Sequence, residues 1–299
     1  MCQELCALEL KAFTMTPALA FNEDQRNRWN GIDGEYWTSH QDRLDRTLEP
    51  VIGPLLAFAV PRAGSTVIDV GCGCGATTVE LANAVGPAGR VIGIDVSEPM
   101  LAVAVDRLRK FGNATCVLGD AAELPLSDVG ADLMVSRFGV MFFGDPVAAF
   151  ANLRTGLAPG GRVRFACWRP VNENPWLQIP LHAAYEHVPR LPKPEPEEPG
   201  PFSFADTARV TRILTAAGFT TPAFSPLDIQ MDIGAGGTLE DAVGQASSMG
   251  PTKRALVDQP EDVRAAAIES IRKALAPFAS ETGVKLPGAV WLVAAERHG

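Results

Sequence analysis

Ser65-Thr-Val-Ile-Asp-Val-Gly-Cys-Gly-Cys-Gly75 is the stretch on which the fold turns. Its first half, Ser65 to Val70, is apolar and β-branched and reads as a buried strand. The run then breaks into Gly71, Gly73 and Gly75, where the missing Cβ atoms let the backbone turn sharply and lie against a ligand. A helical pattern follows from about Ala76 to Val85. Strand, glycine turn and helix in that order form the opening unit of a parallel sheet wrapped by helices.

The same alternation continues outward. Val91 to Asp95 is a second strand, after which Ser97 caps a helix with Pro99 in its first turn and Met100, Leu101, Ala104 and Leu108 on its inner face. Thr115–Leu118 and Ala131–Val135 are the third and fourth strands. Asp145-Pro146 opens a helix carrying Val147, Phe150, Leu153 and Leu157; Pro159-Gly160-Gly161 is expected to stop it, and Val163–Cys167 to be the fifth strand. The proline-rich stretch 169–204 reads as a loop or lid rather than new core. A helix from Asp206 places Val210, Ile213, Leu214 and Ala217 inward and ends at Gly218. Phe219–Met231 supplies a sixth strand, 238–248 and 260–276 read as helices, the second with Val263, Ala267, Ile271 and Leu275 on one stripe, and Ala289–Ala294 is the last strand. Residues 22–60 read as one or two helices around Trp29, Trp37, Leu44 and Leu48, capping the ligand end of the sheet.

Composition narrows the function. With 299 residues, 46% hydrophobic and 20% charged, the chain can bury one large core. Lys and Arg number 26 against 35 Asp and Glu, 26 − 35 = −9, which opposes a phosphate backbone and argues against nucleic acid. No apolar run reaches the roughly 18 residues of a membrane helix, and residues 1–20 lack a secretory pattern, so the expectation is a cytoplasmic protein. The cysteines, Cys2, Cys6, Cys72, Cys74, Cys116 and Cys167, show no paired C-x-x-C spacing and read as reduced, packing thiols, with no metal expected. Met15 opens Met-Thr-Pro-Ala, so residues 1–14 read as an extension without function.

In an open parallel sheet, ligands bind beyond the carboxyl ends of the strands. Acids stand there in succession: Asp69 at the lip of strand one, Asp95 closing strand two, and Asp120 after strand three in Gly119-Asp-Ala-Ala-Glu-Leu-Pro125. A lone glycine turn is a weak signal. Three strand-end acids in register with it are a stronger one.

The motifs Asp69-Val-Gly-Cys-Gly-Cys-Gly75, Gly93-Ile-Asp-Val-Ser-Glu-Pro-Met100, Gly119 to Pro125 and Leu157-Ala-Pro-Gly-Gly161 together resemble those of class I S-adenosylmethionine (SAM)-dependent methyltransferases, in the ubiquinone/menaquinone-biosynthesis-like small-molecule branch. The resemblance covers residues 65–168 well and the remainder loosely. It implies an α/β, Rossmann-like, doubly wound seven-stranded sheet with the last strand antiparallel, an N-terminal helical cap and a helical insertion near the C-terminus. The expected organisation is 1–60 for extension and cap, 61–168 for the SAM-binding core, 169–204 for the lid, and 205–299 for the rest of the sheet with an insertion at about 236–284. By the same resemblance Asp69 and the Gly71, Cys72, Gly73 and Gly75 backbone hold the methionine end of SAM. Asp95 grips the ribose, Val96 and Met100 flank the adenine, Asp120 and Ala121 meet its edge, and Ser136 lies near the sulfonium. Trp37 and Gln41 are where related enzymes close the cap.

The function so implied is methyl transfer to an O, N or C atom of a small, apolar or aromatic metabolite, leaving S-adenosylhomocysteine (SAH). A sulfonium methyl is attacked in line, so positioning carries most of the rate and no elaborate constellation is needed. His182, in the segment expected to cover the acceptor, is the one candidate base. Arg137, Phe138, Phe142, Trp168 and Trp176 are candidate acceptor-site residues, although a salt bridge for the arginine and ordinary packing for the tryptophans compete with that role. Two other functions compete. A non-catalytic SAM-binding module would share the motifs, and an NAD-binding Rossmann oxidoreductase would share Gly71-x-Gly73-x-x-Ala76 and Asp95, but Asp69, Asp120 and the Pro-Gly-Gly turn favour the methyltransferase. The expected partner is a small-molecule acceptor, on a monomer or homodimer.

Overall fold

Strand β1 (Thr66–Val70) is buried on both faces from Val67 onward, as its β-branched sequence requires of a strand at the centre of a covered sheet. A computed structural model describes residues 17–193, 195 and 197–298 around it. Residues 1–14, Met15, Cys2 and Cys6 lie outside the described residues. Three helices, α1 (Pro17–Asn30), α2 (Ile32–Ser39) and α3 (Gln41–Ala59), precede β1 where one or two were expected. The breaks fall at Gly31 and at His40, which is at once the C-cap of α2 and the N-cap of α3. Helix α3 buries Leu44, Leu48, Val51, Leu55 and Ala59, a stripe at helical spacing that packs on the sheet.

After β1 come α4 (Ala76–Val85), β2 (Arg90–Asp95), α5 (Glu98–Leu108), β3 (Ala114–Leu118), β4 (Ala131–Arg137), α6 (Pro146–Thr155) and β5 (Leu157–Trp168). Ser97 caps α5 through its hydroxyl, and Met100, Leu101, Ala104 and Leu108 are its buried face, as expected. The chain continues through α7 (Pro175–Ala184), α8 (Thr207–Ala216), β6 (Ala223–Asp232), α9 (Leu239–Ser248), α10 (Gly250–Leu256), α11 (Glu261–Leu275), a two-residue β7 (Ala279–Ser280) and β8 (Gly283–Glu296). The main sheet runs β3-β2-β1-β4-β5-β8-β6, with β7 pairing only to β8. Strands β1 to β5 pair in parallel, whereas β8 is antiparallel to both β5 and β6. The seven-stranded doubly wound sheet with an antiparallel last strand is therefore as anticipated. Chain order reverses between β1 and β4, and a crevice opens at the carboxyl end of such a reversal.

Three local readings are corrected. Pro159-Gly160-Gly161 does not stop helix α6, which ends at Thr155; it lies inside β5, where a register shift between Ala131 and Leu133 accommodates the extra residues and Gly160 takes φ +73°. The sixth strand begins at Ala223, not Phe219, which makes only an isolated bridge to Arg297. The stretch 169–204 is not all loop: Pro175 sits in the first turn of α7, where a missing N–H costs nothing, and Trp176, Ala183, Ala184, Val188 and Phe204 are core residues. Glu197 and Ser203 are held from α8, where Arg209 donates to the carbonyl of each at 2.7 Å. Between β6 and β8 the expected insertion contains α10 in addition to the two helices anticipated.

Candidate active site

The crevice is built on one contact between two backbones. Gly71 leaves β1 with φ +69°, and a Cβ on it would stand 2.7 Å from the Cα of Gly139. A Cβ on Gly139 would in turn meet the Val70 carbonyl at 2.6 Å. The β1 exit and the β4 exit thus pass each other with no room for a side chain on either. Ser136, buried at the end of β4, clasps them: its hydroxyl donates to the Val70 carbonyl at 2.7 Å and accepts from Gly139 N–H at 3.1 Å.

Asp69 lies beneath this turn, 1% exposed. Thr78 of α4 donates to one of its oxygens at 2.7 Å, and the other has no partner. Burial pushes its carboxyl up to about 6, against the Thr78 hydrogen bond and the attraction of Arg137. Asp95, at the end of β2, accepts from Gly73 N–H at 2.7 Å and Ser97 N–H at 2.9 Å, so it bridges the glycine turn to the start of α5. Burial raises its carboxyl while those backbone donors act the other way. Asp120 accepts from Ala122 N–H at 2.9 Å and is likewise raised by burial. The three acids occupy the carboxyl ends of adjacent strands or the turn just after, in the order β1, β2, β3.

A cavity of about 570 Å³ lies at the β2–β3 side of the crevice, lined among others by Val96, Gly119, Asp120, Leu124 and, from α1, Arg26 and Asn30. Val96 and Asp120 belong to the expected set. Ala121 and Met100 are buried, with the Met100 methyl 2.9 Å from where a Cβ on Gly73 would be. Helix α1 is stapled over this cavity: the Asn30 amide donates to the Val96 carbonyl at 2.9 Å and accepts from Glu98 N–H at 2.8 Å, and Arg26 pairs with Glu123 at 3.3 Å. Sequence reasoning named neither Asn30, Thr78 nor Gly139.

On the cap, Gln41 donates to Asp45 at 2.5 Å. Asp45 pairs at 2.8 Å with Arg107 of α5, which also donates to the Cys74 carbonyl at 2.9 Å. This network binds the start of α3 to the glycine turn. Arg137 is spent on the scaffold, donating to the Thr77 hydroxyl at 3.1 Å and lying 3.5 Å from the Leu48 carbonyl.

Aromatic rings form two groups beside the single 3-10 turn Val140–Phe142 that follows β4. Trp29 meets Trp37 and Phe142 edge to face at 6.1 and 5.9 Å. Phe138 stacks on Trp168 at 4.2 Å, and Trp168 contacts Trp176 at 5.1 Å. Phe138 holds this position with φ +67°, a conformation a bulky residue adopts only when its surroundings impose it. Its N–H donates to the Ala166 carbonyl at 3.0 Å. His182 does not join either group; it is exposed on α7 near Tyr185.

Known proteins resemble this chain in two ways. Residues 67–161 match the family model described as "Methyltransferase domain". Demethylmenaquinone methyltransferases from Staphylococcus aureus strains JH9 and Newman are each 41% identical over 102 residues, covering 34% of this chain and 42% of theirs. The chain thus spans less than half the length of the curated relatives it matches. Among solved structures, the YcgJ protein from Bacillus subtilis has a TM-score of 0.52 at 16% identity, covering 83% of this chain and 98% of that one. A Haemonchus contortus phosphoethanolamine N-methyltransferase 2 in complex with SAM has a TM-score of 0.53 at 16% identity, covering 92% and 60%. At that identity the structural likeness bears on the fold. Glycine turn, strand-end acids and family match coincide on one segment, residues 67–161, which is similar to a methyltransferase domain.

Proposed function

We propose that the protein transfers a methyl group from SAM to an O, N or C atom of a small, apolar or aromatic metabolite. The observation that carries this reading is Asp69, whose second oxygen is buried without a partner beside a bare-backbone turn. Leaving such an acceptor unpaired costs about 1–3 kcal/mol or more for a charged group. A cationic donor brought by a ligand offsets that cost. The residues present fit SAM in this respect. Asp69 and the Gly71, Cys72, Gly73 and Gly75 backbone would hold its amino-acid end. Asp95 keeps lone pairs beyond the two it shares with Gly73 and Ser97 and would accept from the ribose. Val96, Met100, Asp120 and Ala121 would border the adenine at the cavity under α1.

When bound, SAM supplies an electrophilic methyl group. The chain's own part is to orient and to keep water out, and orientation alone is worth about 7–11 kcal/mol in favourable cases. Trp37, Phe138, Phe142, Trp168 and Trp176 would wall the acceptor, while Gln41, Ser136 and Arg137 hold the cap and the turn around it. Likeness to demethylmenaquinone methyltransferases supports a flat, quinone-type compound in the acceptor panel. A cytoplasmic protein, as monomer or homodimer, remains part of this proposal; no helix among the described residues is long and apolar enough to cross a membrane.

Titrating SAM, SAH and NAD against unfolding tests the cofactor. At 100 times its Kd a ligand stabilises the native state by about 2.7 kcal/mol, and a response to the sulfur ligands without one to NAD is expected. A response to NAD alone would overturn the reading. Release of SAH in the presence of a phenol, amine and quinol panel tests turnover; binding with no release from any acceptor class would favour a non-catalytic SAM-binding module.

A further inference from the structure

The glycine turn contains a thiol whose chemistry methyl transfer does not use. Cys72 follows Gly71, and the N–H groups of both donate to the Ile94 carbonyl on β2 at 2.8 and 3.1 Å. Its side chain folds back over Gly93: a Cβ on Gly93 would lie 2.9 Å from Cys72 Sγ and 3.2 Å from its Cβ. Cys116 is the partner of Gly93 in β3. Paired residues of neighbouring parallel strands send side chains to the same face, about 4.8 Å apart. Cys72 and Cys116 therefore converge over the one β2 residue that has no side chain to separate them, and both pack with Leu101 and Ala104 in a cluster distinct from the main core.

We propose that Cys72 and Cys116 are an oxidation site, a thiol pair that a hydroperoxide converts to a reversible disulfide which weakens cofactor binding. The second half of this proposal rests on the SAM reading; the first does not. Redox-sensing cysteines are accessible, favour the thiolate and stand beside a resolving thiol. Cys116 is half-buried on the edge strand, with Thr115, Val117 and Leu118 exposed around it. The Cys72 thiol donates to the Gly73 carbonyl at 3.9 Å. The neighbouring Cys72 thiol holds the Cys116 thiol below its usual range despite burial, while the same proximity and burial push Cys72 up. The other described cysteines lack such a partner: burial raises Cys74 to about 12 and Cys167 further still.

In the first step the Cys116 thiolate attacks one peroxide oxygen, the S–O bond forms, the O–O bond breaks, and hydroxide leaves to become water. In the second the Cys72 sulfur attacks the Cys116 sulfenic sulfur, the S–O bond breaks, and the departing hydroxide takes the Cys72 proton. Two thiols and one hydrogen peroxide give one disulfide and two waters. The new bond draws Cys72 toward β3 and disturbs the turn whose Gly73 N–H is held by Asp95.

The test uses the full chain and hydrogen peroxide. Non-reducing peptide mapping should find a Cys72–Cys116 linkage, and calorimetry should find SAH bound about tenfold more weakly, with both changes reversed by dithiothreitol. Cys116→Ser and Cys116→Ala should bind SAH like the reduced protein and be indifferent to peroxide. Absence of the linkage, with Cys116 recovered only as sulfinic acid or unmodified, overturns the oxidation site. A linkage that leaves SAH affinity unchanged overturns the control of binding. Should the reduced protein not bind SAH, the cofactor reading fails while the mapped linkage still decides the oxidation site.

Discussion

Replacing Asp69 with Asn separates what this carboxylate does for the fold from what it does for the ligand. Its carboxyl titrates at about 6 in the folded protein against 3.8 for the unperturbed group. Because the folded value is the higher, the contribution of Asp69 to stability is fully present below about pH 4 and is lost as the pH rises through 6. The shift is about 6 − 3.8, or roughly 2 units, and at 1.36 kcal/mol per unit it amounts to about 3 kcal/mol. Asn keeps an oxygen for Thr78, carries no charge and does not titrate. Because the unfolded carboxyl is already about half ionised at pH 4, urea unfolding at pH 4 and pH 7.5 should show the difference between Asp69→Asn and the parent moving by about 2.5 kcal/mol in favour of the variant at the higher pH. Asp95 and Asp120, raised in the same direction, remain in both proteins and cancel. SAH affinity should fall by about 1.5–3 kcal/mol, the worth of a charge-assisted hydrogen bond. A pH-independent difference would refute the buried-carboxylate argument, and undiminished SAH binding would show that the ligand's amino group is held elsewhere.

Further outcomes follow from the same geometry. Asp95→Ala should weaken SAH binding at least about tenfold and, by orphaning Gly73 and Ser97 N–H groups, lower stability by about 1–3 kcal/mol; calorimetry and denaturant melts read the two effects separately. Gly139→Ala forces a Cβ to 2.6 Å from the Val70 carbonyl, so the β1 exit must move, and a variant with parental SAH affinity and melting temperature would contradict the back-to-back packing. Phe150, fully buried among Phe143, Phe165, Phe204 and Phe219, should cost about 3–5 kcal/mol on replacement by Ala with little change in SAH affinity for the molecules that remain folded. Asn30→Ala removes both hydrogen bonds of the α1 staple and should raise the SAH dissociation rate measured by stopped flow; an unchanged rate would mean the cap does not gate release.

The parallel core was legible because each of its signals is local. β-branched runs, glycines at a strand exit, the Ser97 cap and the Asp145 cap each impose a conformation on a few residues at a time. Misreadings arose where tertiary pairing overrides local chemistry. Pro159-Gly160-Gly161 looks like a helix stop, yet pairing with β4 draws it into β5 as a bulge. The prolines of 169–204 look like a lid, yet Pro175 suits the first turn of a helix whose apolar side is buried. Within the site, acids at strand ends could be named from spacing. Thr78, Asn30 and Gly139 could not, since Asn30 meets Val96 and Gly139 meets Gly71 only across 66 or more residues of chain, and Thr78 reaches Asp69 only through the turn of the chain that brings α4 back over β1. A serine or arginine can be placed near a cleft by sequence, but the structure engages Ser136 with the Val70 carbonyl and Arg137 with the Thr77 hydroxyl, contacts that no local pattern announces.

The Asn30 staple has a practical consequence. One amide grips the backbone on both sides of the bend between β2 and α5, so the roof of the cavity beside Asp120 is held by a side chain from a separate helix. If the proposed adenine site is right, room for adenosyl analogues with bulky ring substituents is made by shortening Arg26 and Asn30, which lie on α1 and outside the glycine turn.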